Sequence, residues 1–352
     1  MNANRKNTKH LILALCSIAF QTIVVFAQNE PPPAPPTTPK IYVPKPAPRR
    51  TTVIPPRARP VPTEREDSER SITVDRKVNI FLPCVLEGNV KINGWDRSEV
   101  RVFIKSGSPI GFGVREKSRQ TGNPVWIEVL GYDTAKRQLP RNECLYGEQI
   151  EIDVPRDANV NVKGQETNIT IDSIRKATIR TAGGDISLRN VAEGVRATTY
   201  EGDVSVENSG GGMNLESATG NILAFETAPS EIGDVFRAKT SNGAIALQGL
   251  EHRQIEVNSI SGSISYNGEF LTGGLYTFGT SNGSINLAIP TDSSSKISAS
   301  YGFGAFSSEI PLKNMQKNAP SSAQNLTALM GAGDATLNLT TNSGSIKIRS
   351  KK

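Results

Sequence analysis

Through most of this chain, apolar and polar residues alternate one for one, which is the period of a half-buried β-strand. Val78–Leu82, Gly88–Ile92, Val100–Lys105, Val125–Leu130 and Gln149–Val154 are the first such runs. Asn93-Gly94 reads as a turn between the second and third, Pro155-Arg156-Asp157 as a turn out of the fifth. Gly107–Gly113 and Tyr132–Arg141 read as polar loops. From Val160 the rhythm becomes regular, with glycines at 164, 184, 202, 220, 243, 262 and 283, separated by 20, 18, 18, 23, 19 and 21 residues. No window sustains apolar spacing at 3.6 residues; the nearest candidate, Ser321–Met330, reads as a loop or a single turn. The pattern predicts an all-β chain: a β-solenoid of short rungs with a period of about 20 residues.

Each glycine opens the same phrase: a polar or small residue, then two apolar residues one apart. It runs Gly184-Asp-Ile-Ser-Leu, Gly202-Asp-Val-Ser-Val, Gly220-Asn-Ile-Leu-Ala, Gly243-Ala-Ile-Ala-Leu, Gly262-Ser-Ile-Ser-Tyr and Gly283-Ser-Ile-Asn-Leu, and returns as Gly344-Ser-Ile-Lys-Ile. These glycines are expected at turns that need a positive φ. The apolar pair, such as Ile186 and Leu188, points to one face. Stacked rungs would bury that face where one rung could not. The expected organisation is a folded part from 64 to 352. Its segments are N-terminal strands over 64–158, regular rungs over 159–290, an insertion or loop over 291–330 and closing strands over 331–352.

The segments ahead of the fold read differently. Arg5, Lys6 and Lys9 precede the apolar run Leu11–Phe20, and Val25-Phe26-Ala27 offers small residues where a signal peptidase cuts. Residues 1–27 are therefore expected to be a signal peptide cleaved before Gln28, a retained anchor being the alternative. Residues 28–63 form a Pro-rich basic tether. The 352-residue chain has a net charge of +6, of which the leader carries +3 and residues 28–63 carry +5, leaving −2 for the rest. The folded part is expected to leave nucleic acid alone, since it lacks an overall basic balance, while the tether could lie on an anionic envelope surface.

Export leaves two cysteines, Cys84 and Cys144, expected to pair as a disulfide; two buried free thiols are the other reading. A single histidine, His252, remains in the mature chain, so no zinc motif can be assembled, and it reads as a surface or loop residue. Asp185 and Asp203, each following a repeat glycine, either cap turns or hold a cation between adjacent rungs. Asp172, Glu193, Glu201, Glu207 and Glu216 add carboxylates without the spacing of a catalytic pair. Tyr301 with Gly302-Phe303-Gly304-Ala305-Phe306 is an aromatic cluster, expected as a packed cap, a ligand-facing patch being the other reading. No catalytic, cofactor or metal residues are assigned.

Gly88-Asn-Val-Lys-Ile-Asn-Gly-Trp95-Asp, Ile152-Asp-Val-Pro-Arg156-Asp-Ala-Asn-Val, the serial glycine phrases and the ending Gly331-Ala-Gly333-Asp-Ala-Thr-Leu resemble the bacterial DUF4097 family of proposed adhesins over roughly residues 78–350. That resemblance implies a β-solenoid-like domain, an exported or envelope location in periplasm, outer envelope or medium, and no established catalytic residues. The functional expectation is a non-enzymatic, adhesin-like or envelope-interaction surface, with a cell-surface glycan or envelope component as partner. A polysaccharide lyase or hydrolase on a β-helix scaffold and a purely structural envelope protein are the alternatives.

Overall fold

The computed structural model describes residues 67–131, 144–318 and 323–351. The leader, the Pro-rich tether and the expected loop Tyr132–Arg141 fall wholly or almost wholly outside them. The described residues form 25 β-strands and no helix.

The N-terminal strands are β1 (Ser68–Thr73), β2 (Asn79–Trp95), β3 (Glu99–Lys105), β4 (Ile110–Lys117), β5 (Pro124–Gly131) and β6 (Gln149–Pro155). The expected turn at Asn93-Gly94 is absent, because β2 runs on to Trp95 while Asn93 and Gly94 pair with Asp153 and Val154. Ile110–Gly113, expected within a polar loop, begins β4, which pairs antiparallel with β5. Its Ile110 side chain is buried, which a loop over the surface would not need.

β2 and β7 (Asn159–Asp172) are long strands that turn a corner midway and pair along both halves. Every later rung is two strands joined at that corner. These rungs are β8 (Lys176–Gly183) with β9 (Ile186–Arg189), β10 (Val195–Glu201) with β11 (Val204–Gly210), and β12 (Met213–Thr219) with β13 (Ile222–Ala228). Then come β14 (Val235–Asn242) with β15 (Ile245–Leu250), β16 (Gln254–Ser261) with β17 (Ile264–Asn267), and β18 (Leu275–Asn282) with β19 (Ile285–Ile289). The even strands pair in parallel as a front sheet and the odd strands as a back sheet. This is the β-solenoid expected from the glycine period.

Register shows why the phrase recurs. Ile186 pairs with Val204, Val204 with Ile222, Ile222 with Ile245, Ile245 with Ile264, and Ile264 with Ile285. All are buried between the sheets. Each such side chain contributes about 1.5–3 kcal/mol of burial, and like residues stacked on like residues keep the rungs in one register.

The coil ends out of sequence order. Residues 291–330, expected as an insertion or loop, hold β20 (Ser295–Phe303), β21 (Phe306–Ser308), β22 (Lys313–Asn318) and β23 (Gln324–Met330). The expected loop or turn at Ser321–Met330 is thus a strand over its described part, with Leu326, Ala328 and Met330 alternating inward. β20 and β21 form another rung with Gly304 at its corner, 21 residues after Gly283. The phrase there, Gly304-Ala-Phe, has Phe306 where the others have isoleucine or valine. β24 (Ala335–Ser343) and β25 (Ile346–Ser350) then slot between that rung and the one before it. β24 pairs with both β18 and β20, and β25 with both β19 and β21. Antiparallel β23 and β22 finish the front sheet. At the other end β4–β5 and β1–β3–β6 cover the first rung.

The cysteines are bonded: Cys84 and Cys144 have Cα atoms 4.7 Å apart and close a separation of 60 residues. Beside them Leu145 N–H donates to Cys84 O at 2.9 Å, and Leu86 N–H to Leu145 O at 2.8 Å. A loop of this length is worth about 4 kcal/mol in the chain-entropy picture. The bond also places folding in an oxidising, non-cytoplasmic compartment.

Candidate functional site

The two corners of each rung position everything else. At the glycine corner two residues separate the strands of every two-strand rung, the glycine and its successor. At the opposite, return corner the connection between rungs varies from the two residues Gly211-Gly212 to the seven of Gly268–Gly274.

Close packing requires glycine at the first corner. A Cβ on Gly202 would lie 2.3 Å from Gly184 O, on Gly220 2.0 Å from Gly202 O, on Gly262 1.9 Å from Gly243 O and on Gly344 1.9 Å from Gly283 O. A positive φ is not common to all: Gly184 and Gly202 have φ of 98° and 139°, but Gly243 and Gly283 lie outside the left-handed range. The carbonyl of the preceding rung is the general reason. Gly164 does not belong to this column: it pairs with Thr181, and Thr167 takes the corner beneath Gly184.

A row of hydroxyls lies inside the same corner, three residues before each glycine. Ser217 Oγ donates to Gly202 O at 2.9 Å, Thr240 Oγ1 to Gly220 O at 2.9 Å and Ser259 Oγ to Gly243 O at 3.0 Å. Thr280 Oγ1 and Thr341 Oγ1 reach Gly262 O and Gly283 O at 2.9 Å. The sequence signal for this row is a Ser or Thr at a fixed place, three residues before the glycine.

The residue after the glycine forms an outer ladder that runs as far as Ala244 and resumes from Ser263 to Ser284 and Ser345. Asp185 N–H donates to Asn168 Oδ1 (2.9 Å), Asp203 N–H to Asp185 Oδ1 (2.8 Å), Asn221 N–H to Asp203 Oδ1 (2.7 Å) and Ala244 N–H to Asn221 Oδ1 (2.9 Å). Of the two readings of Asp185 and Asp203, capping is the one observed. It runs between rungs, each carboxylate holding the next rung's backbone.

The remaining carboxylates do not converge. Asp172 is on the back sheet, where Arg189 reaches it at 2.9 Å. Against the cost of partial burial, hydrogen bonds from Ser173, Asn190 and Arg189 hold it below the usual carboxylate range, the opposite of a general acid. Glu193 is at the return corner with Arg175 at 3.5 Å, Glu207 on the back sheet and Glu216 on the front sheet. No group of three or more metal-ligating side chains occurs among the described residues. The aromatic cluster divides: Tyr301 is buried and stacks on Phe306 at 6.5 Å, whereas Phe303 is exposed.

His252 is not a surface residue. It is fully buried at the return corner, its ring 5.8 Å from Phe236, and Nε2–H donates to Gly211 O at 2.9 Å while Nδ1 has no partner. Desolvation lowers its pKa, against the Gly211 hydrogen bond and the charges of Asp234 and Glu251.

Three clefts lie along the front sheet and its return corner. Pro229–Asp234 forms a projecting loop, closed by Asp234 Oδ2 accepting from Ser230 N–H, Ser230 Oγ–H and Glu231 N–H at 2.8–3.0 Å. A cleft of about 550 Å³ lies between this loop, Arg253 and Leu275, and one of about 490 Å³ between it, Lys176 and Arg196. A third, about 360 Å³, lies farther across the sheet between Arg180, Tyr200, Glu216 and Lys239.

A two-sheet parallel coil with a stacked glycine corner defines the class as β-solenoid-like. The family model described as Toastrack DUF4097 matches residues 148–349, and this protein belongs to that family. No curated protein matches the chain. Among solved structures, a proposed adhesin from Bacteroides fragilis is 14% identical, with 80% of this chain and 96% of that chain covered at a TM-score of 0.32. A proposed lipid binding protein from Parabacteroides distasonis is 12% identical, with 82% and 97% covered at 0.34. A proposed cell adhesion protein from Clostridium sporogenes is 10% identical, with 81% and 100% covered at 0.25. Likeness at this level carries no information about a ligand.

Proposed function

We propose that this protein is an exported, non-enzymatic, adhesin-like component of the bacterial envelope, and that its working surface is the outer face of the front sheet with the adjoining return corner. The supporting observation is the distribution of side chains: three clefts lie on that surface, while the carboxylates a glycan-cleaving site would need are scattered over both sheets and both corners. In this reading residues 1–27 direct export and are removed before Gln28. The Pro-rich segment 28–63 then spaces the coil from an anionic envelope surface, and the partner is a cell-surface glycan or envelope component. The Cys84–Cys144 bond fits that location.

A glycan array followed by a depolymerisation assay on each bound glycan tests the proposal. Binding without turnover is expected. Turnover abolished by one carboxylate substitution, Glu216→Gln for example, would overturn it in favour of an enzyme.

A further inference from the structure

Resting on that reading, we infer the ligand's chemistry: the front sheet binds a linear acidic polysaccharide laid along the coil axis. The folded part's near-neutral charge conceals a basic face. Lys163, Lys176, Arg180, Arg196, Arg237 and Lys239 are exposed on β7, β8, β10 and β14, against Glu216 on β12 and Glu256 on β16. Register places them in columns across the rungs. Lys163 pairs with Arg180, Arg180 with Thr198, Thr198 with Glu216 and Glu216 with Lys239. In the next column Arg196 pairs with Asn214 and Asn214 with Arg237. At about 4.8 Å per rung this array spans on the order of 19 Å, with three cationic rungs followed, after β12, by a fourth.

The cations are largely unneutralised. No carboxylate among the described residues forms an ion pair with Lys176, Arg180, Arg196 or Lys239, and Arg237 meets Glu256 at 3.4 Å in an exposed pair. The back sheet shows the contrast, because there Arg189 is matched by Asp172 on the neighbouring rung at 2.9 Å. Like charges on neighbouring strands cost stability, and a polyanion lying across them would remove that cost.

Hydroxyl and amide side chains fill the places between the cations, Thr178, Thr198, Asn214 and Asn258 among them, as donors and acceptors for sugar hydroxyls. Tyr200, 70% exposed, offers a ring face in the cleft that also holds Arg180 and Lys239. A single-stranded nucleic acid would want a row of aromatics, and these strands expose only this one.

The test measures binding of the folded chain to polygalacturonate, with neutral dextran, duplex DNA and phosphatidylglycerol vesicles in parallel. Polygalacturonate is expected to bind, to weaken with added salt, and to weaken about tenfold or more in Arg180→Glu/Arg196→Glu/Lys239→Glu. The same measure should be unchanged in a back-sheet control, Lys347→Glu/Arg349→Glu, and both variants should unfold as cooperatively as the parent. Preference for DNA or vesicles, absence of polyuronate binding, or equal loss in the control would overturn the inference. Binding of a neutral glycan through the front sheet would overturn it and leave the proposed function standing.

Discussion

The two corners of the coil follow opposite rules. At the glycine corner the connection is always two residues, the inside is a row of hydroxyls, the outside is a ladder of Asx and Ser side chains, and Cβ atoms are excluded by carbonyls about 2 Å away. At the return corner, length ranges from two residues to seven, one loop projects Ile232 into solvent, and clefts open on both sides of it. The difference teaches that one edge sets the rung spacing for the whole coil, so the other edge need not repeat. A repeat built this way can change its surface rung by rung without changing its pitch.

The largest effect should come from crowding the constant corner. Gly262→Val puts a Cβ within 1.9 Å of Gly243 O at a φ of 157°, where a β-branched residue is strained. A loss of more than about 4 kcal/mol is expected, read as loss of the cooperative transition in urea; a folded variant of parental midpoint would break the comparison. Thr280→Val keeps the shape and removes the buried hydroxyl that reaches Gly262 O. Chemical denaturation should show a loss of about 1–2 kcal/mol.

The return corner should respond to pH instead. His252 is buried with its pKa lowered, so the unfolded chain takes up a proton that the folded chain resists. Its contribution to stability is complete above the unfolded value of about 6.5 and is lost as pH falls through the folded one. Urea midpoints at pH 7.5 and pH 5 should therefore diverge more for the parent than for His252→Gln. The smallest effect belongs to the projecting loop: Ile232→Ser should change stability by less than about 0.5 kcal/mol, measured by thermal unfolding. A large loss there would show that the return corner also holds the rungs together.

The sequence carried the coil because its period is written in residues that only one geometry accepts. Glycine with an apolar pair two and four residues later marks a corner and a buried strand, and the stacked isoleucines follow. The rung of β20 and β21 was hidden because Ala305 and Phe306 replace the usual polar residue and isoleucine, although the 21-residue spacing to Gly304 continued. His252 lies in a connection, one of the two readings given for it, but its burial was not legible because its partner is Gly211 O, 41 residues away, which no local pattern records. The basic face was obscured for a similar reason. Net charge sums over both sheets, whereas cations from four strands are brought together only by the register of the rungs.

The order of strands at the far end also governs timing. β24 and β25 are made after β20 and β21 yet sit inside them, joined on both sides. During vectorial synthesis the coil can grow rung by rung only as far as β18 and β19. The next place in the stack waits for residues 335–350, and the strands already delivered must be held off or lifted to admit them. Long-range pairing of this kind is slow, so this insertion is a natural slow step in folding. The rung of β20 and β21 therefore takes its place only once the chain has reached Ser350.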